Sequence, residues 1–323
     1  MADFDLVVLG GGSGGYACAL RAAQLGLKVA LIEKEKLGGT CLHRGCIPTK
    51  ALLHAGEIAD GARHSAEFGV KAEFHSMDMV AVNAYKDGVI SKLHKGLQGL
   101  VKSRNITYVE GEGKLVSATT VKVGSESYIG KNVVLATGSY AKSLPGLDID
   151  GKQVITSDQA IHMGYVPKSV IVLGGGVIGC EFASVWKSFG AEVRIIEALP
   201  HLVALEDESS SKALERAFRK RGIDFKLGVR FAGVTQSETG VVVSLESGEQ
   251  LEADLLLVAV GRGPNTAGLG YDEQGVAMDR GYVLTNDRLQ TNLPNVYAAG
   301  DIVPGLQLAH RGFQQGIFIQ FNF

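Results

Sequence analysis

Cysteine is scarce: four in 323 residues, too few for the disulfide framework of a secreted scaffold. Excess charge is also lacking. The chain carries 32 basic against 34 acidic residues, and no basic block marks a surface for nucleic acid or an anionic membrane. Apolar runs such as Leu255–Val260 have the length of a strand and fall far short of a membrane span. The first residues, Met1-Ala2-Asp3-Phe4-Asp5, show neither the cationic start nor the apolar core of a secretory signal. The expected compartment is the cytoplasm, where a disulfide is usually catalytic or redox-sensing. The length allows about two domains and an ample core. No metal site is expected.

Glycine is abundant, at 43 residues, and much of it falls in two copies of one pattern. Leu6–Leu9 reads as an apolar strand, followed by Gly10-Gly11-Gly12-Ser13-Gly14-Gly15, a helical stretch from Tyr16 to Leu25, and a strand Lys28–Ile32 ending at Glu33. The pattern recurs as the strand Val170–Leu173, the turn Gly174-Gly175-Gly176-Val177-Ile178-Gly179, a helix from Cys180 to Phe189, and a strand Glu192–Ile196 ending at Glu197. Gly10, Gly12, Gly15 and Glu33 map onto Gly174, Gly176, Gly179 and Glu197 by a single displacement of 164 positions. A lone GxGxxG is weak evidence; two, each between a strand and a helix and each with its acid, describe two Rossmann units. The first glycine makes the tight turn, the second lets a pyrophosphate approach the backbone, and the third lets the helix pack on the strand. The helix N-terminus then faces the phosphates, and Glu33 and Glu197 are expected to accept from an adenosine ribose. A carboxylate at position 197 repels a 2′-phosphate, and strand alternation sends Arg194 to the opposite face, which favours NAD over NADP at the second turn.

Cys41 and Cys46 follow directly on the first unit, within Gly38-Gly39-Thr40-Cys41-Leu42-His43-Arg44-Gly45-Cys46-Ile47-Pro48-Thr49-Lys50. An ideal helix separates Cα atoms at i and i+5 by about 8.6 Å, whereas a disulfide needs roughly 4.4–6.8 Å. A disulfide made and broken here requires irregular backbone, which Gly45 and Pro48 can supply. Cys18 and Cys180, each just after a glycine turn, read as buried reduced thiols. Two nucleotide folds and one redox disulfide suggest two dinucleotides. Nicotinamide passes hydride and does not readily reduce a disulfide, whereas FAD accepts hydride and hands electrons to sulfur. FAD is therefore placed on the first fold, beside the cysteines, and NAD on the second.

These motifs, with Ala136-Thr137-Gly138-Ser139, Ala259-Val260-Gly261-Arg262-Gly263-Pro264-Asn265 and Tyr297-Ala298-Ala299-Gly300-Asp301, resemble those of the pyridine nucleotide–disulfide oxidoreductases. The resemblance extends to about Ile317, and within the family it is nearest to the members that oxidise dihydrolipoyl groups. It implies an α/β flavoprotein with two Rossmann-like FAD/NAD(P)-binding domains. The first is discontinuous, 1–145 plus 266–323, and the second spans 146–265, with crossings near Pro145-Gly146 and Asn265. Electrons from dihydrolipoyl groups would pass through a Cys41–Cys46 disulfide and FAD to NAD. The partner would be the lipoyl-bearing acyltransferase of a 2-oxoacid dehydrogenase complex. Cys46 would be the thiol against the flavin and Cys41 the interchange thiol. Lys50 would lie near the flavin N5 with Glu181 as its ion partner beside the nicotinamide. Glu33, Lys34, Gly39, Thr40, Gly113, Thr137, Gly138, Ser139, Asp301 and Ala309, with His310, would serve the FAD. Gly261 and Arg262 would line the NAD site, and Phe231 either flanks its adenine or belongs to the core.

Family members continue into a dimerisation domain carrying a His–Glu acid–base pair for the partner subunit's disulfide. That domain is absent here, so the chain reads as C-terminally truncated, with apolar surface left bare and low stability expected. None of the eight histidines matches the family base. His43, between the cysteines, either tunes their thiolates or is simply satisfied. Residues 64–110, with Val89, Leu93, Leu97, Leu100 and Val101, read as one long amphipathic helix for core or subunit contact. The end, Phe318-Ile319-Gln320-Phe321-Asn322-Phe323, alternates like a strand. Competing readings are a flavin- and NAD-binding fragment with at most NADH diaphorase activity, and a reductase for another small disulfide or mercuric ion.

Overall fold

A computed structural model of the chain describes residues 3–320. Eight α-helices occur among them: α1 (Ser13–Gln24), α2 (Gly39–His43), α3 (Cys46–Arg63), α4 (Met79–Ser103), α5 (Ser157–Ala160), α6 (Val177–Phe189), α7 (Glu208–Lys220) and α8 (Ala309–Ile319). The chain divides into two compact units. One is built from the residues up to His43, Ile90–Tyr140 and those from Gly263 on; the other from Arg44–Val89 and Ala141–Arg262. No described helix is long and apolar enough to cross a membrane.

The first unit is organised by a seven-stranded sheet in the order Thr107–Glu110, Val29–Glu33, Phe4–Leu9, Glu126–Leu135, Thr120–Val123, Gly113–Ser117, with Val296–Ala298 added parallel to Glu126–Leu135. The first four strands pair in parallel and the last two return antiparallel. Parallel strands are covered on both faces, which is why Leu6, Val7, Val8, Ala30, Leu31 and Ile32 are all fully buried. On one face α8 lies on α1 through small residues. A Cβ on Gly316 would fall 2.3 Å from the Gly14 oxygen and 2.9 Å from the Cys18 nitrogen, so only glycine allows this approach.

The second unit repeats the scheme with a five-stranded parallel sheet, Asp224–Lys226, Glu192–Ile196, Ser169–Leu173, Leu255–Val258 and Val154–Ile155. Strand alternation builds its two cores. Val170, Val172, Leu255 and Leu257 face Phe182, Val185, Trp186 and Phe189 of α6. Ile171, Leu173, Leu256 and Val258 face the antiparallel sheet Phe231–Gln236, Val241–Leu245 and Gln250–Ala253. Burying each of these large side chains is worth about 1.5–3 kcal/mol.

Two expectations need correction. The long helix does not span 64–110. Ser65–Phe68 is a short 3₁₀ turn closed by Gly69 at φ +73°, residues 70–78 carry no helix, and α4 begins at Met79. The cause is a cap: the Asp78 carboxylate accepts from the Val80 and Ala81 N–H groups. Its apolar stripe is also narrower than expected, with Leu97 and Val101 buried but Leu93 and Leu100 exposed. The final alternation is not a strand either, since α8 runs through Phe318 and Ile319. Packing on α1 holds it there, with Ile319 fully buried; Phe321, Asn322 and Phe323 lie outside the described residues. The irregular backbone expected between Cys41 and Cys46 is present, and the two do not share a helix. Cys41 is in α2, and Cys46 is the first residue of α3 after a break at Gly45. Pro48 falls in the first turn of α3, where its missing N–H costs nothing.

Candidate functional site

Each glycine turn leaves the end of a central strand, and each is built by the same contacts. Gly10 and Gly174 take φ of +106° and +109°, and a Cβ on either would strike the carbonyl of Ala136 or Ala259. Gly15 and Gly179 close the turn, since a Cβ there would lie 1.8 and 2.0 Å from the oxygens of Gly10 and Gly174. Gly12 and Gly176 differ. Extended backbone suits them, nothing lies near a Cβ on Gly176, and only the Cα of Gly39 comes within 3.9 Å of one on Gly12. α1 and α6 start there with no side-chain cap, so no capping side chain occupies their first N–H groups.

The two glutamates are held alike. Glu33 accepts from the Gly11 N–H at 2.7 Å and the Glu35 N–H at 2.9 Å. Glu197 accepts from Gly175 at 2.6 Å and Leu199 at 2.8 Å. Each carboxylate oxygen receives one donor and keeps a second lone pair for a hydroxyl. Arg194 is engaged elsewhere, with Asp224. The N–H groups of Gly11 and Gly175 escaped sequence reasoning; the only signal was the glycine between the first and second fingerprint positions in both copies.

Several other expected residues of the first unit come together. The Ser139 hydroxyl donates to Asp301 at 2.6 Å. Thr137 donates to the Asn265 carbonyl and meets the Tyr271 hydroxyl, and Gly138 turns the chain at φ +75°. α8 begins at Ala309 and His310, again with no side-chain cap. Gly39 and Thr40 open α2, and Lys34 is exposed beside Glu33. Gly113 is a buried strand residue whose Cβ would strike Leu9 and Val121, so core packing already requires a glycine there. His43 is satisfied, its Nε2 lying 2.9 Å from the Leu37 carbonyl and its ring edge-on to His94 at 4.9 Å. Burial, then the neighbouring His43 and Lys36, hold His94 below its ordinary pKa.

In the second unit Lys50, one turn after Cys46 in α3, donates to Glu181 of α6 at 2.6 Å. α3 and α6 run close because Gly56 leaves room for Ser188, whose Cβ would be 2.9 Å from an added one. A cluster further along fixes the pair. Asp60 accepts from Ser188 at 2.6 Å, Arg63 at 2.8 Å and Arg221 at 3.4 Å, and Arg221 also donates to Ser184 and Ser188. No sequence signal linked these residues. Gly261 is exposed at φ +106° and Arg262 follows it half-buried, while Phe231 is half-buried against the second core. Cys41 and Cys46 are partly exposed, whereas Cys18 and Cys180 are buried. Burial pushes both of the latter thiols up to about 12, Gln320 partly offsetting this at Cys18 and Glu197 and Glu181 adding to it at Cys180.

The sequence profile of pyridine nucleotide-disulphide oxidoreductases matches residues 4–316. The chain belongs to this family. Among pyridine nucleotide-disulphide oxidoreductases it is 43% identical to the mitochondrial dihydrolipoyl dehydrogenase of Pisum sativum, over 97% of this chain and 65% of the relative. It is 44% identical to leghemoglobin reductase of Vigna unguiculata, over 97% of this chain and 62% of that one. The chain thus spans less than two thirds of the length of these relatives. The solved structure of LpdA from Mycobacterium tuberculosis superposes with a TM-score of 0.92 at 27% identity, over 98% of this chain and 72% of that chain. The HOCl-induced flavoprotein disulfide reductase RclA from Escherichia coli gives 0.85 at 29% identity, over 97% and 69%. Dihydrolipoyl dehydrogenases use FAD and NAD(H). Both turns fit such dinucleotides, with open space over Gly12 and Gly176, uncapped helix starts, and carboxylates with spare lone pairs.

Proposed function

We propose that this chain holds FAD at Gly10–Gly15 and Glu33 and NAD at Gly174–Gly179 and Glu197, and acts as a dihydrolipoamide dehydrogenase. The domains are 1–145 plus 266–323 for FAD and 146–265 for NAD. Dihydrolipoyl groups on the acyltransferase of a 2-oxoacid dehydrogenase complex are the substrate, and a homodimer is the working form. A disulfide opened and closed at each turnover suits the cytoplasm.

Oxidation of the dithiol opens the Cys41–Cys46 disulfide and leaves a substrate disulfide and two cysteine thiols. Re-forming the disulfide releases two electrons and two protons; NAD+ carries off a hydride and one proton goes to solvent. Bound FAD supplies the two-electron relay between sulfur and nicotinamide. Cys41 exchanges with the substrate sulfur. Cys46 opens α3, where the helix dipole favours negative charge on sulfur. Lys50 shares its face one turn on, and Glu181 fixes the ammonium group by a charge-assisted hydrogen bond. Ser139 and Asp301 orient the flavin side of the first site, and the start of α8 at Ala309 offers it N–H donors.

The observation that carries this reading is the Lys50–Glu181 bond, which ties the helix opened by Cys46 to the helix opened by the second glycine turn. An anaerobic NADH titration after FAD reconstitution tests it. A long-wavelength sulfur–flavin absorbance band at two-electron reduction is expected. Simple bleaching of the flavin would remove Cys46 from its role, and failure to retain flavin would remove FAD from the first turn.

A further inference from the structure

The loop after Glu197 is held in an unusual state. Val203 sits at φ +44°, a conformation that a β-branched residue adopts only under constraint. The constraint comes from both sides. The Val203 N–H donates to the Gly175 carbonyl at 2.8 Å, and its own carbonyl accepts from the buried Ser211 hydroxyl of α7 at 3.3 Å. Leu202 is fully buried, and its side chain lies 2.7 Å from where a Cβ on Gly175 would stand. Glu215 of α7 completes the hold. It is 6% exposed, and one carboxylate oxygen lies 3.3 Å from the Leu202 N–H and 3.1 Å from His201 Nδ1. Arg219 stands 3.8 Å from the other oxygen.

The ring closes on the ribose carboxylate. The Gly175 peptide donates its N–H to Glu197 and accepts from Val203 through its carbonyl. Glu197 in turn accepts from Leu199 in the same loop. Displacing Leu202 or Val203 rotates the Gly175 peptide and so re-aims Glu197. His201 is the one basic side chain in 198–207, and its Nδ1 lies 3.1 Å from Glu215.

We infer that Glu215 is a positioning residue for dinucleotide choice: by fixing residues 201–203 against the second glycine turn, it keeps Glu197 presented to a ribose with free hydroxyls and opposed to one carrying a phosphate. This rests on the second turn being the NAD site.

Binding of NADH and of NADPH to the full chain, each measured by calorimetry, tests both statements separately. Gly176→Asp serves as the site control. Its Cβ meets nothing and aspartate is a favoured N-cap, so the variant is expected to fold, while its carboxylate would stand in the path of a pyrophosphate. It should abolish NADH binding; if it does not, or if the unaltered chain fails to bind NADH, the second-site reading falls and this inference with it. With that control in place, Glu215→Ala should weaken NADH about tenfold and NADPH much less, so that the preference narrows. Glu215→Gln, which still accepts from the Leu202 N–H, should recover most of the NADH affinity. An unchanged NADH-to-NADPH ratio in a folded Glu215→Ala protein overturns the role of Glu215. Should that variant not fold, Ser211→Ala cuts the second tie to the loop, and an unchanged ratio there overturns the inference equally.

Discussion

At the scale of single residues, the glycines of a fingerprint are not equivalent, and the structure separates their duties. Gly15 is structural: an added methyl group would sit inside the Gly10 carbonyl, and no side-chain adjustment relieves a clash with backbone. Gly12 is permissive, because its φ of −74° suits any residue and its Cβ direction is open. Gly15→Ala should therefore cost about 3 kcal/mol or more in urea unfolding, while Gly12→Ala should change stability by less than about 0.5 kcal/mol. The flavin content after reconstitution should nonetheless fall in Gly12→Ala. Equal stability losses in the two variants would contradict this division of labour. The same contrast separates the cysteines: burial makes Cys18 and Cys180 small core residues, and the two partly exposed ones are those proposed for the redox pair.

Between elements, α3 and α6 form the join that matters. They touch at Lys50–Glu181 near their starts, pass closely at Gly56 and Ser188, and are bound again by Asp60 with Arg63 and Arg221. Asp60→Ala leaves two guanidinium groups without their shared acceptor and should cost about 1–2 kcal/mol in urea unfolding. Glu57→Ala, one turn earlier and paired only with exposed His54, should cost far less; similar costs would mean that the cluster contributes nothing special. None of this join was legible in the sequence except Lys50–Glu181, which entered through family likeness, because residues 60, 184, 188 and 221 share no local pattern. The strands and helices flanking each glycine turn were legible to within a few residues, since a parallel strand buried on both faces must be apolar throughout. The start of α4 was not, because apolar spacing continues across 64–110 while Asp78 and Gly69 decide where the helix begins. The C-terminal alternation misled for a related reason: α8 is fixed by Gly312 and Gly316 against α1, a constraint that no local periodicity records.

Across the whole molecule, one hydrogen-bond scheme appears twice. Gly10 N–H donates to Ile32 and Gly174 N–H to Ile196, both at 2.8 Å; Ala136 donates to Leu9 as Ala259 does to Leu173. Each unit carries its own glutamate, its own open glycine and its own helix start. Duplicate sites built from separate strands should fail separately. Gly12→Asp places a carboxylate at the first open position and Gly176→Asp at the second, and the Cβ of neither meets a clash. Gly12→Asp should lose flavin, read as the absorbance ratio of flavin to protein, while binding NADH with nearly unchanged affinity. Gly176→Asp should retain flavin and lose NADH. The opposite pattern would exchange the two cofactors between the turns, and loss of both ligands in both variants would mean that the repeated scheme does not make two independent sites. The assignment rests on position: Cys41 and Cys46 follow the first turn directly in the chain, and only a dinucleotide able to exchange electrons with sulfur belongs beside them.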